Sequence, residues 1–530
     1  MQCNCKMTSF IFCAVIAVFA VSKNVSQAQT DNSKSLVVVM PEIPRVIDPH
    51  LAKTGTEVAL SSEIYMGLVS HGADGKIVSG LAVSWEVSPD GLTYTFDLGP
   101  DARWSDGRRV STSDIAEGLR RALNPATSAP YAGHLKSIEG AAAVLAGRLP
   151  PEKLGVSSLP FGRVEIALER PSSRFLDALS LPVAFPIPEH AMDVEGGWSS
   201  AEHLISAGAF TAVPSAESLS LAKNMEFFSA RDVGIDRIEF VQADTPLDAS
   251  DLVSSGQAHI ALGFPLEIGR SLSAGASRID AGTGLYFVAV NVSRRPLDSR
   301  EARHALAMTI DRDRLIDELQ LIDIEAALKV VPPSILGEAV SPVAPYAALF
   351  PEMRTPIAEV LLQEANVGLN NPRTLTLDHL TEESHALVAR HLAAAWAPLG
   401  ILLDTRPRSS AELDQIMASG EFDLALAFWP HEGNEPVDYL QNMASSAGPL
   451  NISQYKEEDF DNSLQLADAS LFTEGLSALY GEAEGIIIQD QPILPIFFYK
   501  PRHAVHPSIQ GWVSNAHGIT HCDFSPFNKT

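Results

Sequence analysis

The sequence predicts a multi-domain α/β fold, and three observations carry that expectation. Strand-like and helix-like segments alternate along most of the 530 residues. A chain of that length exceeds the ~250–300 residues that one hydrophobic core serves, so two or three domains follow. Only four cysteines are present and 46% of the residues are apolar, so stability has to come from packing rather than from covalent staples.

The chain opens with Lys6 ahead of the apolar run Phe10 to Val21, followed by the small residues Ser26-Gln27-Ala28. That order reads as a secretory signal peptide over residues 1–28, with Gln29 starting the mature chain. Cys3, Cys5 and Cys13 leave with it, so Cys522 alone remains and no internal disulfide is expected. No later stretch offers the roughly 20 uncharged apolar residues that a membrane-spanning helix needs. The next clear element follows the turn Ser88-Pro89-Asp90-Gly91, where Leu92, Tyr94, Phe96 and Leu98 alternate with polar residues as in a strand with one buried face. After Ser105-Asp106-Gly107 a helix begins, with Ser111 as its cap, Asp114 in the first turn and Ile115, Leu119, Ala122 and Leu123 as one apolar stripe. Asn124-Pro125 ends it.

Asp298 is placed to cap a further helix, with Glu301 reaching back and Ala302, Ala305, Leu306, Thr309 and Ile310 on the inner face. Asp311 starts another through Leu315, Ile316 and Leu319. A helix carrying Leu387, Leu392, Ala395 and Trp396 breaks at Pro398-Leu399-Gly400, and Ile401 to Leu403 reads as a strand. A helix around Leu413 to Met417 and a strand from Phe422 to Trp429 repeat the alternation of sheet and crossover.

The formal net charge of −27 becomes −29 once Lys6 and Lys23 are removed with the signal. Such a surface repels nucleic acid and anionic headgroups. No repeat, low-complexity tract or long charge block interrupts the pattern. Nucleophile-elbow, phosphate-loop, zinc-protease and dinucleotide motifs are all absent, which points away from an enzyme although carboxylate pairs assembled at a distance leave no sequence trace. His503, His506, His517, His521 and Cys522 crowd the end of the chain without a closed zinc spacing, so no metal or cofactor is expected. His431 beside Glu432 is an acid/base pair only by adjacency, and neighbours in a strand point apart. The Asn-x-Ser triplets at Asn24, Asn291 and Asn451 are of the kind that arise by chance.

Several segments then carry a resemblance: Ile47-Asp48-Pro49-His50, Tyr65 to Val69, Gly80 to Phe96, Arg103-Trp104-Ser105-Asp106-Gly107, Arg120 to Leu123 and Ser128 to Tyr131. With Gly208-Ala209-Phe210, Val331-Pro332-Pro333 and Asn434-Glu435-Pro436, they make the chain similar to the family 5 solute-binding proteins of ABC importers, in the oligopeptide-binding branch. The resemblance implies a two-lobed α/β periplasmic binding protein of the type II-like, three-domain cluster C kind, with the ligand cleft between the lobes. Domain I would combine residues 29–57, 188–283 and 500–530; domain II would be 58–187 and domain III 284–499. The hinges would lie near Leu285-Tyr286-Phe287 and Phe497-Phe498-Tyr499. The function implied is capture of peptides and delivery to an inner-membrane permease with its ATPase subunits, by a periplasmic monomer that does not bind nucleic acid. Glu432 would receive the peptide amine, and a dry cleft needs such a partner for a buried ammonium. Asn434 and the aromatic residues Trp429, Phe428 and Tyr439 are the further candidates for ligand contact, although an aromatic stripe is more often core than site.

The departures are as specific. Leu426, Ala418 and Gln320 stand where close oligopeptide-binding relatives carry basic residues, Phe428 replaces a glycine, and neither Gly284 nor Pro430 is the cysteine some members pair there. These changes keep open a non-peptide solute on the same fold, such as a metal chelate, an opine-like compound or a sugar conjugate. A secreted hydrolase is the third reading, one that requires a nucleophile and base the sequence does not display.

Overall fold

Two large sheets, each fed by strands from distant parts of the chain, organise the molecule. The computed structural model describes residues 34–509 apart from 45, 54, 73–75, 194–196, 201, 214–218, 263–276, 280–282, 321–323, 338–340, 430–434, 471–474 and 501. The signal-peptide expectation, His431, His517, His521 and Cys522 lie outside the described residues. Among those described, no helix is long and apolar enough to cross a membrane.

The first sheet has seven strands. Ser35–Met40 pairs in parallel with Arg237–Gln242 on one side and Ile260–Ala261 on the other, and antiparallel strands flank this centre. Residues 210–213 and 220–223 extend one edge, while 502–505 and 277–279 extend the other. A four-stranded antiparallel sheet (82–87, 93–98, 163–167, 156–159) completes this lobe. Tyr94 and Phe96 point inward from Thr93–Leu98 as the alternation predicts. One continuous core reaches from Leu36 through Phe96 and Trp104 to Phe210 and Val505, so the seven- and four-stranded sheets share their interior.

The resemblance-bearing motifs of this lobe are structural joints. Arg121, on the helix Thr112–Leu123, donates 3.0 Å to the carboxylate of Asp48 and lies 2.9 Å from His50 Nδ1. His50 Nε2 reaches the Phe185 carbonyl at 2.9 Å. Burial, then the Arg121 guanidinium, pushes the His50 imidazole down to about 4, so it is neutral. Ser111 and Asp114 form the capping box expected of them, and Asp114 also accepts from the buried Trp104 indole at 3.2 Å. Gly208 packs so closely on the carbonyls of Glu63 and Ile64 that a Cβ there would sit 2.8 Å from each.

The second lobe is built on a six-stranded sheet ordered 324–326, 493–499, 284–290, 424–429, 373–380, 401–408. Its last three neighbours are parallel and are joined by the helices Glu383–Trp396 and Ser410–Ser419, the crossover arrangement that the alternation of elements implies. Cores lie on both faces: Tyr286, Val288 and Val290 enter one, Leu285, Phe287 and Ala289 the other. A bulge opposite Tyr286/Phe287 puts the neighbours Ile496 and Phe497 into the same core.

The helix expected to start at Asp298 starts one residue later. Ser299 holds the extended cap conformation and accepts from Ala302 N at 3.2 Å, while Asp298 belongs to the preceding turn, its N–H on the Arg294 carbonyl. Asp311 caps Arg312–Leu319 as expected, accepting from Arg314 N. The triplet asparagines Asn291 and Asn451 are buried and their amides are consumed by backbone carbonyls, Gly420 and Phe422 for the first, Ala444 and Tyr455 for the second.

Candidate functional site

The strand Leu424–Trp429 delivers the candidate residues. Its first four residues are fully or almost fully buried between the two cores, and Leu426 lies opposite Val288 inside one of them. Only at its end do side chains emerge, Phe428 and Trp429 being half-buried on opposite faces. Trp429 stands 4.5 Å from the Phe287 ring, centroid to centroid. Phe428 lies 6.3 Å from His385, whose Nδ1 shares a 2.7 Å hydrogen bond with the Tyr286 hydroxyl. Tyr286 in turn stacks on Phe497 at 4.7 Å and 4°. Burial, with His379 adding to it, pushes the His385 imidazole down to about 3, so this aromatic file carries no charge.

Sequence reasoning missed His385, Tyr286 and Phe497 as one unit. They come from a helix and two strands more than 90 residues apart, and no local pattern links them. The other two departures from the resemblance sit away from this file. Ala418 is exposed on the helix Ser410–Ser419, and Gln320 ends Arg312–Leu319 in a left-handed conformation.

Glu432 and Asn434 lie outside the described residues, in the segment between Trp429 and Glu435. Tyr439, a candidate for the pocket with core as its alternative, is fully buried. Its hydroxyl donates to the Thr283 carbonyl at 2.5 Å, tying the helix Pro436–Leu440 to the start of the strand Gly284–Val290. A phenol that spans helix and strand from within the core supports the wall of a site rather than lining it. Burial, with Asp438 nearby, pushes its ionisation far above the usual phenol range.

Beyond this wall the two lobes meet. Arg174, just before the first-lobe helix Phe175–Ser180, donates to Glu435 Oε2 at 2.6 Å and to Asp438 Oδ1. Burial opposes the Arg174 charge, but Asp438 and Glu435 outweigh it and raise the guanidinium above its usual range. Ser172 Oγ donates to Asp468 at 2.7 Å, and Arg170 reaches Gln465 at 3.3 Å. His134 beside them is pushed down to about 4, by burial and then by Arg174. Among the described residues no group of three His, Cys, Asp or Glu side chains converges to hold a metal ion.

Comparison with known proteins places this arrangement. The model for bacterial extracellular solute-binding proteins, family 5, matches residues 76–451, well over half of the chain. The periplasmic murein peptide-binding protein MppA of Escherichia coli K12 is 26% identical over 490 residues, covering 91% of each chain. The probable deoxycholate-binding periplasmic protein YgiS of the same organism is 26% identical, over 88% of this chain and 89% of its own. A solved structure of the E. coli murein tripeptide-binding protein MppA superimposes with a TM-score of 0.85 at 26% identity, covering 93% of this chain and 98% of that one. The unliganded open form of MppA, 25% identical and covering 94% and 96%, gives 0.65.

Proposed function

Because the chain belongs to the family 5 bacterial extracellular solute-binding proteins, we propose that it is the periplasmic receptor of an ABC importer, closing two lobes on a short peptide and presenting it to an inner-membrane permease. The observation that carries this reading is the seam. The strand ending in Phe428 and Trp429 runs into residues 430–434, and the helix that follows is held by Arg174 from the opposite lobe. A ligand held between the lobes is therefore enclosed when they meet. MppA, a peptide binder by name, supports the peptide as ligand class.

In this reading Glu432 receives the peptide amine, Asn434 and the exposed edges of Trp429 and Phe428 contact the ligand, and no catalytic step occurs. Residues 29–57, 58–187, 188–283 and 500–530 form one lobe and 284–499 the other, a division supported by the way the strands sort into sheets. A closed cleft strengthens a charge-assisted hydrogen bond, and removing one partner costs about 1.5–3 kcal/mol. Glu432→Gln should thus weaken an amine-bearing peptide about 10- to 100-fold. Native mass spectrometry of protein taken from its own periplasm, before and after this substitution, tests it. A ladder of peptide masses that disappears in the variant supports the peptide receptor; a single non-peptide mass retained by the variant rejects it.

The second reading is an amphipathic, non-peptide solute. It is favoured by the half-buried Phe428, the emergent end of an uncharged file that continues into the core through His385, Tyr286 and Phe497. YgiS, named as a probable deoxycholate binder, supports it.

A further inference from the structure

The seam between the lobes is more than a contact made in passing, because its charges are sorted by lobe. Lys53, Lys136, Arg170 and Arg174 come from the first lobe, and Asp414, Glu435, Asp438, Asp461 and Asp468 face them from the second. Glu57, near Asp414, and Asp177, whose charge acts on Arg174, are first-lobe acids that run against this order. In a chain of net charge −27, two lobes with random surfaces would repel each other, whereas these edges attract.

One of the second-lobe acids stands where its own helix does not explain it, and another serves its helix and the seam at once. Asp468 is the last residue of the helix Glu458–Asp468, the end at which the helix dipole disfavours a carboxylate. It is accommodated by the first lobe: Ser172 Oγ donates to Oδ1 at 2.7 Å, Arg170 Nε lies 4.0 Å from Oδ2, and Ser173 N–H reaches the Asp468 carbonyl at 3.4 Å. Asp438 divides its oxygens, Oδ2 accepting from the Glu435 N–H at 3.0 Å within its own helix and Oδ1 accepting from Arg174. Glu435 is the cap of that helix and the first described residue after the 430–434 segment. The guanidinium of Arg174 thus forks across both ends of the first turn of Pro436–Leu440, with only about a fifth of the side chain exposed.

We propose that Arg174 is a positioning residue for lobe closure: by clamping Glu435 and Asp438 it fixes the start of their helix, so that closure of the lobes and ordering of Pro436–Leu440 are one event. The charge-sorted seam around it draws the lobes together even without ligand, and salt loosens it. Arg174 acts through these two acids and touches no ligand itself. The inference rests on the capture reading for its consequence, but its test needs no ligand and fails separately.

The experiment uses the full mature chain, freed of bound solute by unfolding and refolding. Its radius of gyration by small-angle scattering and its hydrogen exchange by mass spectrometry are followed in 20 mM and 1 M NaCl. The wild type should be smaller in 20 mM than in 1 M salt, where the screening length falls to about 3 Å. Arg174→Ala should be expanded in 20 mM salt and respond less to salt than the wild type, and Arg174→Lys should lie between. Exchange in peptides covering residues 424–440 should rise at least several-fold in Arg174→Ala, while peptides from the helix Glu383–Trp396 in the same lobe stay unchanged. If wild type and Arg174→Ala share one radius in low salt, the clamp does not hold the lobes. If the radius changes but exchange over 424–440 does not, closure and positioning are separate and the proposal falls. Should Arg174→Ala misfold, Arg174→Lys and the salt series of the wild type decide between the same outcomes.

Discussion

Glu484 has no exposed side-chain surface, and one of its oxygens accepts from the N–H groups of Val330 and Val331 at 3.0 and 2.7 Å while the other has no hydrogen-bond partner. Burial outweighs those two bonds and pushes its carboxyl up from 4.5 to about 7. The native state therefore keeps the proton at pH values where the unfolded chain releases it. Stability from this site is complete below about pH 4.5 and is lost as the pH rises through about 7, a change of roughly 3 kcal/mol over the window. Glu484→Gln should flatten that slope, checked by urea unfolding of both proteins at pH 5, 6 and 7. Nothing in Glu482-Ala483-Glu484 marks which glutamate is buried, because the partners of Glu484 lie more than 150 residues upstream. His385 was illegible for the same reason. Asp48, His50 and Arg121 were legible as a pattern, but their role as a joint between distant segments became visible only with the fold.

Elements with one wet face were the easiest to read. The alternation of Thr93–Leu98 and the capping box at Ser111 announce themselves, since a half-buried strand and a helix start each constrain residue types locally. The strands Gly284–Val290 and Ile493–Tyr499 are buried along their whole length, so their sequences are unbroken apolar runs with no sign of which face meets which core. The bulge that places Ile496 and Phe497 in one core is invisible for that reason. At Asp298-Ser299 both residues are good caps, and only the preceding turn decides for Ser299. These paired strands make a further prediction. A Cβ on Gly284 would come within 2.7 Å of the Tyr499 hydroxyl as well as overlapping its ring. Gly284→Ala should cost about 1–3 kcal/mol through this overpacking, measured as a lower urea midpoint with an unchanged slope.

At the scale of the whole molecule, the division of cores matters most. One continuous interior serves the seven- and four-stranded sheets, and two others flank the six-stranded sheet. Calorimetry of the ligand-free protein should therefore resolve two transitions rather than one, since separate cores unfold as separate cooperative units. A single transition would mean that the seam couples the lobes as firmly as a shared core. The α/β class was within reach of the sequence because length and alternation bound it, and the two lobes because of the family resemblance. The seam was not, as its partners stand some 260 to 300 residues apart in a chain whose acids are too many to single out. The pairing of Gly284 with Tyr499 has one more consequence. The second lobe is an insertion whose two ends are neighbours on adjacent antiparallel strands, about 5 Å apart. A cut at both points leaves a fragment that begins and finishes at the same place, and a gap in the remainder that a linker of a few residues can bridge. Excision of the inserted lobe should therefore leave the seven- and four-stranded sheets with their strand order unchanged, an outcome that circular dichroism and urea unfolding of the bridged remainder would check.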